Sequence, residues 1–125
     1  MLSTKSAMAT IAVKDMPAAR AFYEGTLGFK PGGMASARVV SYRSGQSTMV
    51  VYLSDFAGTN KATSATWAVG AELEAIVERL QAAGVGFERY DMPGATREGD
   101  IHVFGDFRGA WFKDPSGNIL HINNA

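Results

Sequence analysis

No cysteine occurs among the 125 residues. That excludes disulfides, thiolate nucleophiles and Cys-type zinc sites, and it leaves the redox compartment undetermined. Charge of one sign is also lacking: 12 Lys and Arg stand against 12 Asp and Glu. A neutral chain with no clustered basic stripe has no field to draw in nucleic acid or anionic lipid, so neither is an expected partner. No apolar run is long enough for a signal peptide or a membrane span, and a cytoplasmic protein is the default expectation. Phosphate-cradling glycines are missing as well. Gly25 and the pair Gly32-Gly33 lack the strand-turn-helix setting such loops need. There is no G-x-S-x-G nucleophile elbow either.

What is present suits one globular domain with a real core, since 46% of residues are hydrophobic. Residues 8–13 read as a strand, with Ala9, Ile11 and Val13 on one face and Met8, Thr10 and Ala12 on the other. Asp15 as cap and Pro17 in the first turn start a helix. Met16, Ala19, Phe22, Tyr23 and Leu27 keep helical spacing, and Gly28 suits the exit. Arg38 to Tyr42 and Thr48 to Leu53 read as a hairpin around Ser44 to Ser47. A polar connection, 55–63, follows. Then the order repeats. Residues 64–69 form a strand, and Leu73, Ile76, Val77 and Leu80 mark an amphipathic helix that ends at Gly84. Val85 to Tyr90 is a strand, and 91–105 is a long loop. Ala110 to Lys113 pairs with Ile119 to Ile122 around Asp114-Pro115-Ser116-Gly117-Asn118, whose Pro, Gly and Asn are turn chemistry.

The expected fold is therefore α+β, a single domain 1–125 of two βαβββ modules at about 6–56 and 63–123. Leu27-Gly28-Phe29 and Val85-Gly86-Phe87 echo each other about half the chain apart, a weak internal duplication. Three local patterns carry a family resemblance: Val13-Lys14-Asp15, then Ala21-Phe22-Tyr23 with Leu27-Gly28-Phe29, and last the turn 114–118. In this order they resemble the vicinal oxygen chelate superfamily, which holds glyoxalase I, bleomycin-resistance proteins, fosfomycin-resistance enzymes and extradiol dioxygenases. Ser116 stands where that family more usually has Asp. The resemblance implies curled sheets forming an incomplete barrel around a cavity, with helices outside. It also implies a homodimer and, in the family's enzymes, a divalent metal held by His or Gln, His, and Glu.

Transferred one at a time, those ligand positions fall on poor donors except for His121. The first-module His or Gln falls on Met8. The second-module His falls on Ser64, or on Ala65 if the register slips by one. The Glu of the first module's last strand falls on Val50 or Tyr52, and the closing Glu falls on His121. Thioether sulfur suits soft ions, and one imidazole does not make a tight site. No metal ligand is assigned and no cofactor is expected.

The expected ligand-binding residues are Met8, Thr10, Val50, Tyr52, Ser64, Thr66, Trp111, Phe112 and His121. Trp111 and Phe112 point to opposite faces, so one of them lines the cavity. Trp67 is expected in the core under the second helix. His121 is either an acid/base group, with Tyr52 as partner, or a hydrogen-bonded strand histidine that only packs. His102, in the long loop, is expected to be solvent-exposed. Residues 93–100 are a flap or an ordinary surface connection. Arg97 and Arg108 are candidates for an anionic ligand, with solvation the commoner fate of such residues.

The favoured reading is a metal-free binder of a small apolar or aromatic molecule. The alternative is an enzyme of the superfamily (lyase, isomerase or dioxygenase), working through displaced metal ligands or through His121. An interaction domain whose cavity is filled by its own side chains is the blander option. Enzyme status stays open at this level.

Overall fold

Strand β1 (Ala9–Val13) buries Ile11 and Val13 and leaves Thr10 exposed, the alternation of a half-buried strand. The structure, a computed structural model, describes residues 1–125. Asp15 caps α1 (Met16–Arg20), its carboxylate accepting from the Ala18 N–H at 3.0 Å, with Pro17 in the first turn. The helix widens into a π-helical segment over Ala21–Thr26. β2 (Pro31–Ala35), β3 (Val39–Ser44) and β4 (Ser47–Leu53) complete the first module. Its sheet has the order β1-β4-β3-β2, with β1 parallel to β4 and the other pairs antiparallel.

The second module repeats this plan with an addition. β5 (Thr63–Ala68) and a 3₁₀ turn lead into α2 (Leu73–Ala82), which buries Leu73, Val77 and Leu80. β6 is shorter than expected, only Phe87–Glu88. The stretch expected as a long loop instead contains a hairpin, β7 (Thr96–Glu98) and β8 (Ile101–Phe104), before β9 (Phe107–Lys113) and β10 (Ile119–Asn123). This sheet runs β5-β10-β9-β8-β7, with β6 also on β9. The edge strands β1 and β5 approach each other, so the two sheets continue one another without closing a barrel.

One cluster of 17 buried residues draws on both modules, so they share a core and cannot be separated without opening it. Both helices cover one side of the sheets. The other side carries the alternate residues of each strand.

The closing turn joins the modules. One Asp114 carboxylate oxygen accepts the Ser116 and Asn118 N–H groups at 3.0 and 2.9 Å. The other accepts the Tyr23 hydroxyl at 2.7 Å and the Asn118 amide at 2.8 Å. Ser116 Oγ accepts the Lys14 N–H, and the Asn118 amide donates to the Ala12 carbonyl. Burial first, then the Asp114 charge, pushes the Tyr23 phenol far above its ordinary range, so it stays protonated as the donor. The connection between modules crosses this turn so closely that a Cβ at Gly58 (φ +71°) would lie 1.9 Å from the Ser116 carbonyl oxygen.

Candidate functional site on the open sheet face

Alternation decides which strand residues face away from the helices. Ala110, Phe112, Leu120 and Ile122 belong to the core, which turns Gly109, Trp111 and His121 to the opposite, open face. Trp111 takes the open face. Phe112, expected among the binding residues, is 1% exposed and packs against Phe22 and Phe87 under the helices. Trp67 lies on the helix side too, against Phe29, with its indole N–H on Ser44 Oγ.

An aromatic row crosses the open face of the second sheet. Trp111 stacks on His121 at 4.1 Å between centroids and 21° between planes. His102 meets the Trp111 ring edge-to-face at 4.9 Å, and Tyr90 meets it likewise at 5.7 Å. Phe107 flanks His121 on the other side. Gly109 makes room for this arrangement, since a Cβ there would lie 2.6 Å from His121 Cε1.

His121 is buried and has both ring nitrogens engaged. A carbonyl can only accept, so Nδ1–H donates to Ala110 O at 3.0 Å. In the neutral ring Nε2 then accepts from the Asn123 amide at 3.3 Å. Burial pushes its pKa below the ordinary value, the nearby His102 adds to this, and the bond to Ala110 opposes it. The ring is therefore a neutral, hydrogen-bonded, stacked element of the sheet.

His102, expected in solvent, is fully buried. Pairing of β8 with β9 opposite Gly109 tucks it between Tyr90 and Trp111. Its Nε2 accepts the Tyr90 N–H at 2.9 Å, and its Nδ1 has no hydrogen-bond partner within the chain.

On the first sheet, Thr10 pairs with Val50, and Tyr52, 37% exposed, presents its hydroxyl without a protein partner. Met8 is also exposed. On the second sheet Thr66 pairs with His121. Ser64 is the extra residue of a bulge, because Ile119 faces Thr63 while Leu120 faces Ala65. The strand pairings thus bring Thr10 beside Val50 and Thr66 beside His121, and stacking adds Trp111. Phe112 stands apart, on the helix side. Val50, Tyr52, Trp111 and His121 line none of the three main cavities; the first three belong to the open face of the sheets, and His121 lies buried against Trp111.

The cationic candidates are already partnered. Arg97 pairs with Asp91 and donates to the Tyr90 carbonyl, while Arg108 lies between Glu74 and Glu98. Segment 93–100 is tied down by these contacts and by Asp100, which accepts from Arg89 and Gln81.

This face can be set against known proteins. The chain matches the Glyoxalase/Bleomycin resistance protein/Dioxygenase superfamily over residues 5–122. It belongs to that superfamily. No curated protein sequence matches it significantly. Among solved structures it is similar to an integron cassette protein from the mobile metagenome of the Halifax Harbour sewage outfall. That match has a TM-score of 0.70 at 20% identity, covering 97% of this chain and 99% of the other. Lactoylglutathione lyase from Agrobacterium tumefaciens gives 0.71 at 15% identity, covering 97% and 94%. The fosfomycin resistance protein of Listeria monocytogenes, in a complex with Mn(II) and sulfate, gives 0.71 at 15% identity, covering 95% and 88%. At these identities the likeness is one of fold.

The superfamily's divalent metal does not fit the residues present here. Met8, Val50 or Tyr52, and Ser64 or Ala65 offer a soft thioether, aliphatic or phenolic side chains, and a hydroxyl or a methyl. The nitrogens of His121 already bond within the chain. No group of three His, Asp or Glu side chains is assembled that could hold an ion.

Proposed function

We propose that this superfamily member binds a small, flat apolar or aromatic molecule on its open sheet face and needs no metal to do so. The observation that carries the reading is the state of His121. At the position where the superfamily's metalloenzymes place a ligand, both ring nitrogens serve internal hydrogen bonds and the ring is stacked under Trp111. Such a group shapes a surface. It offers no free lone pair to a metal and no unoccupied nitrogen to a proton in transit.

Trp111, half-buried, supplies an aromatic platform. Thr66, paired with His121, supplies a hydroxyl on the second sheet, while on the first sheet Thr10 and Tyr52 supply hydroxyls and Val50 and Met8 apolar surface, the mixture of an apolar site with a few orienting polar groups. A cytoplasmic homodimer belongs to the same proposal, and light scattering reads its stoichiometry.

The test is titration of the wild-type protein with 2-naphthol while the two tryptophan indole N–H signals are followed by NMR. The expected result is a saturable shift of the Trp111 signal, identical in excess Mn(II) and in excess chelator. A shift that requires added metal, or no shift at Trp111, overturns the reading.

A further inference from the structure

The opposite side of the molecule holds a cavity that the open-face reading does not use. It lies between the modules on the helix side and has a volume of about 500 Å³. Leu80, Phe112 and Ile122, all buried, belong to its floor. Half-buried Leu27, Phe29, Trp67, Val69 and Ile76 form the walls, so the first module's helix exit faces the second module's β5 and α2.

Nine of the twelve lining residues are hydrophobic, and Arg79 is the only charged one. Arg79 is exposed in the last turn of α2, and its side chain is in none of the chain's six ion pairs or side-chain hydrogen bonds. Arg20, Arg89, Arg97 and Arg108 each hold a carboxylate. The cavity therefore joins an apolar interior to one unpaired cation. Gly25, in the π-helical segment, leaves one wall open, since a Cβ added there meets nothing within 4 Å.

From this we infer a second small-molecule site, one that takes a hydrophobic monocarboxylate with its alkyl or aryl body on the Trp67–Phe112 side and its carboxylate at Arg79. The volume falls within the range of ordinary ligand cavities, about 300–1,000 Å³. Apolar walls favour the body, and the lone guanidinium favours a single negative charge over a neutral or doubly charged head. Because the walls come from both modules, an occupant bridges them and stabilises the shared core.

The experiment uses wild-type protein with ¹⁵N-labelled tryptophan. The chain has two tryptophans, one at each proposed site, and Trp67→Phe assigns their signals. Decanoate is the probe and decanol its uncharged control. Decanoate is expected to shift the Trp67 signal saturably, leave the Trp111 signal in place, and raise Tm. Arg79→Gln, an exposed change, is expected to weaken decanoate by about fivefold, the scale of one solvent-accessible charge pair, and to leave decanol binding unchanged. Gly25→Leu, which fills the open wall, is expected to weaken both. A decanoate shift at Trp111 alone, no saturable shift at Trp67, or equal decanoate affinity in Arg79→Gln overturns the inference. The 2-naphthol titration reads the other indole, so failure at one site is separate from failure at the other.

Discussion

Trp111 and His121 lie face to face at 4.1 Å on adjacent antiparallel strands, directly paired in the β9–β10 ladder. Gly109 on the same strand as Trp111 is what lets the imidazole lie flat. Gly109→Ala would set a methyl 2.6 Å from His121 Cε1 and 3.3 Å from Phe107 Cε1. The expected cost is about 1–3 kcal/mol, as for other overpacked cores. Urea denaturation reads the loss, and displacement of the Trp111 indole signal reads the broken stack. A Gly109→Ala protein with wild-type stability and signal would show that the stack is not tight.

Stability should fall on mild acidification through His121. Its folded pKa is held below the unfolded value of 6.5, so the unfolded chain takes up a proton that the folded chain refuses. The His121 contribution is complete above the unfolded value and is lost as pH drops from there toward the folded one. Glu24 and Asp100 do not blur this window, because both titrate below their ordinary range. Hydrogen bonding from Arg20 lowers Glu24. In Asp100, burial pushes upward, but bonds from Arg89 and Gln81 win. The urea midpoint is expected to drop between about pH 7.5 and about pH 5.5 in the wild type, and the drop is expected to vanish in His121→Gln. A pH-independent midpoint in the wild type would contradict the assignment.

Tyr23→Phe removes the buried donor to Asp114 while leaving that carboxylate its three bonds within the turn. The expected loss is about 1–2 kcal/mol, that of a buried hydrogen bond to a charged group whose acceptor keeps other partners. Tyr42 offers a contrast. Its hydroxyl donates to Glu24 in the partly exposed π-helical segment, and Tyr42→Phe is expected to cost less. Equal losses for the two variants would argue against a special role for the turn.

Removal of metal is expected to change nothing. Dialysis against chelator, and addition of Mn(II), Ni(II) or Zn(II), should leave Tm unaltered, because a ligand stabilises only what it binds. One equivalent of metal retained after purification without chelator would reverse this.

Much of the fold was legible because its strongest signals are local. Asp15 and Pro17 announce the first helix, Leu73, Val77 and Leu80 the second, and the 114–118 turn the last hairpin. Alternation also separated Trp111 from Phe112. It did not assign their faces, because that depends on which partner strands β9 meets. His102 was misplaced for a related reason. Thr96, Arg97 and Glu98, which form β7, are a polar edge strand without the apolar alternation that marks a strand, so β8 was hidden and its histidine looked solvated. In retrospect Gly99-Asp100, between Glu98 and Ile101, was the hairpin signal. Pro31-Gly32-Gly33 conceals β2 in the same way. The helix-side cavity left no mark in the sequence, since its walls come from segments far apart in the chain.

The 114–118 turn also imposes an order of events. Its bonds to Ala12, Lys14 and Tyr23 span most of the chain, with Asn118 and Ala12 106 positions apart. A ribosome releases β1 and α1 long before this turn, although β4, the sheet partner of β1, follows within the first module. The first module must wait, not yet locked to the second, until the 114–118 turn has emerged, and contacts of such long range slow folding. Loss of residues 114–125 would thus reach back across the fold and cut the bonds that tie Ala12, Lys14 and Tyr23 to the second module.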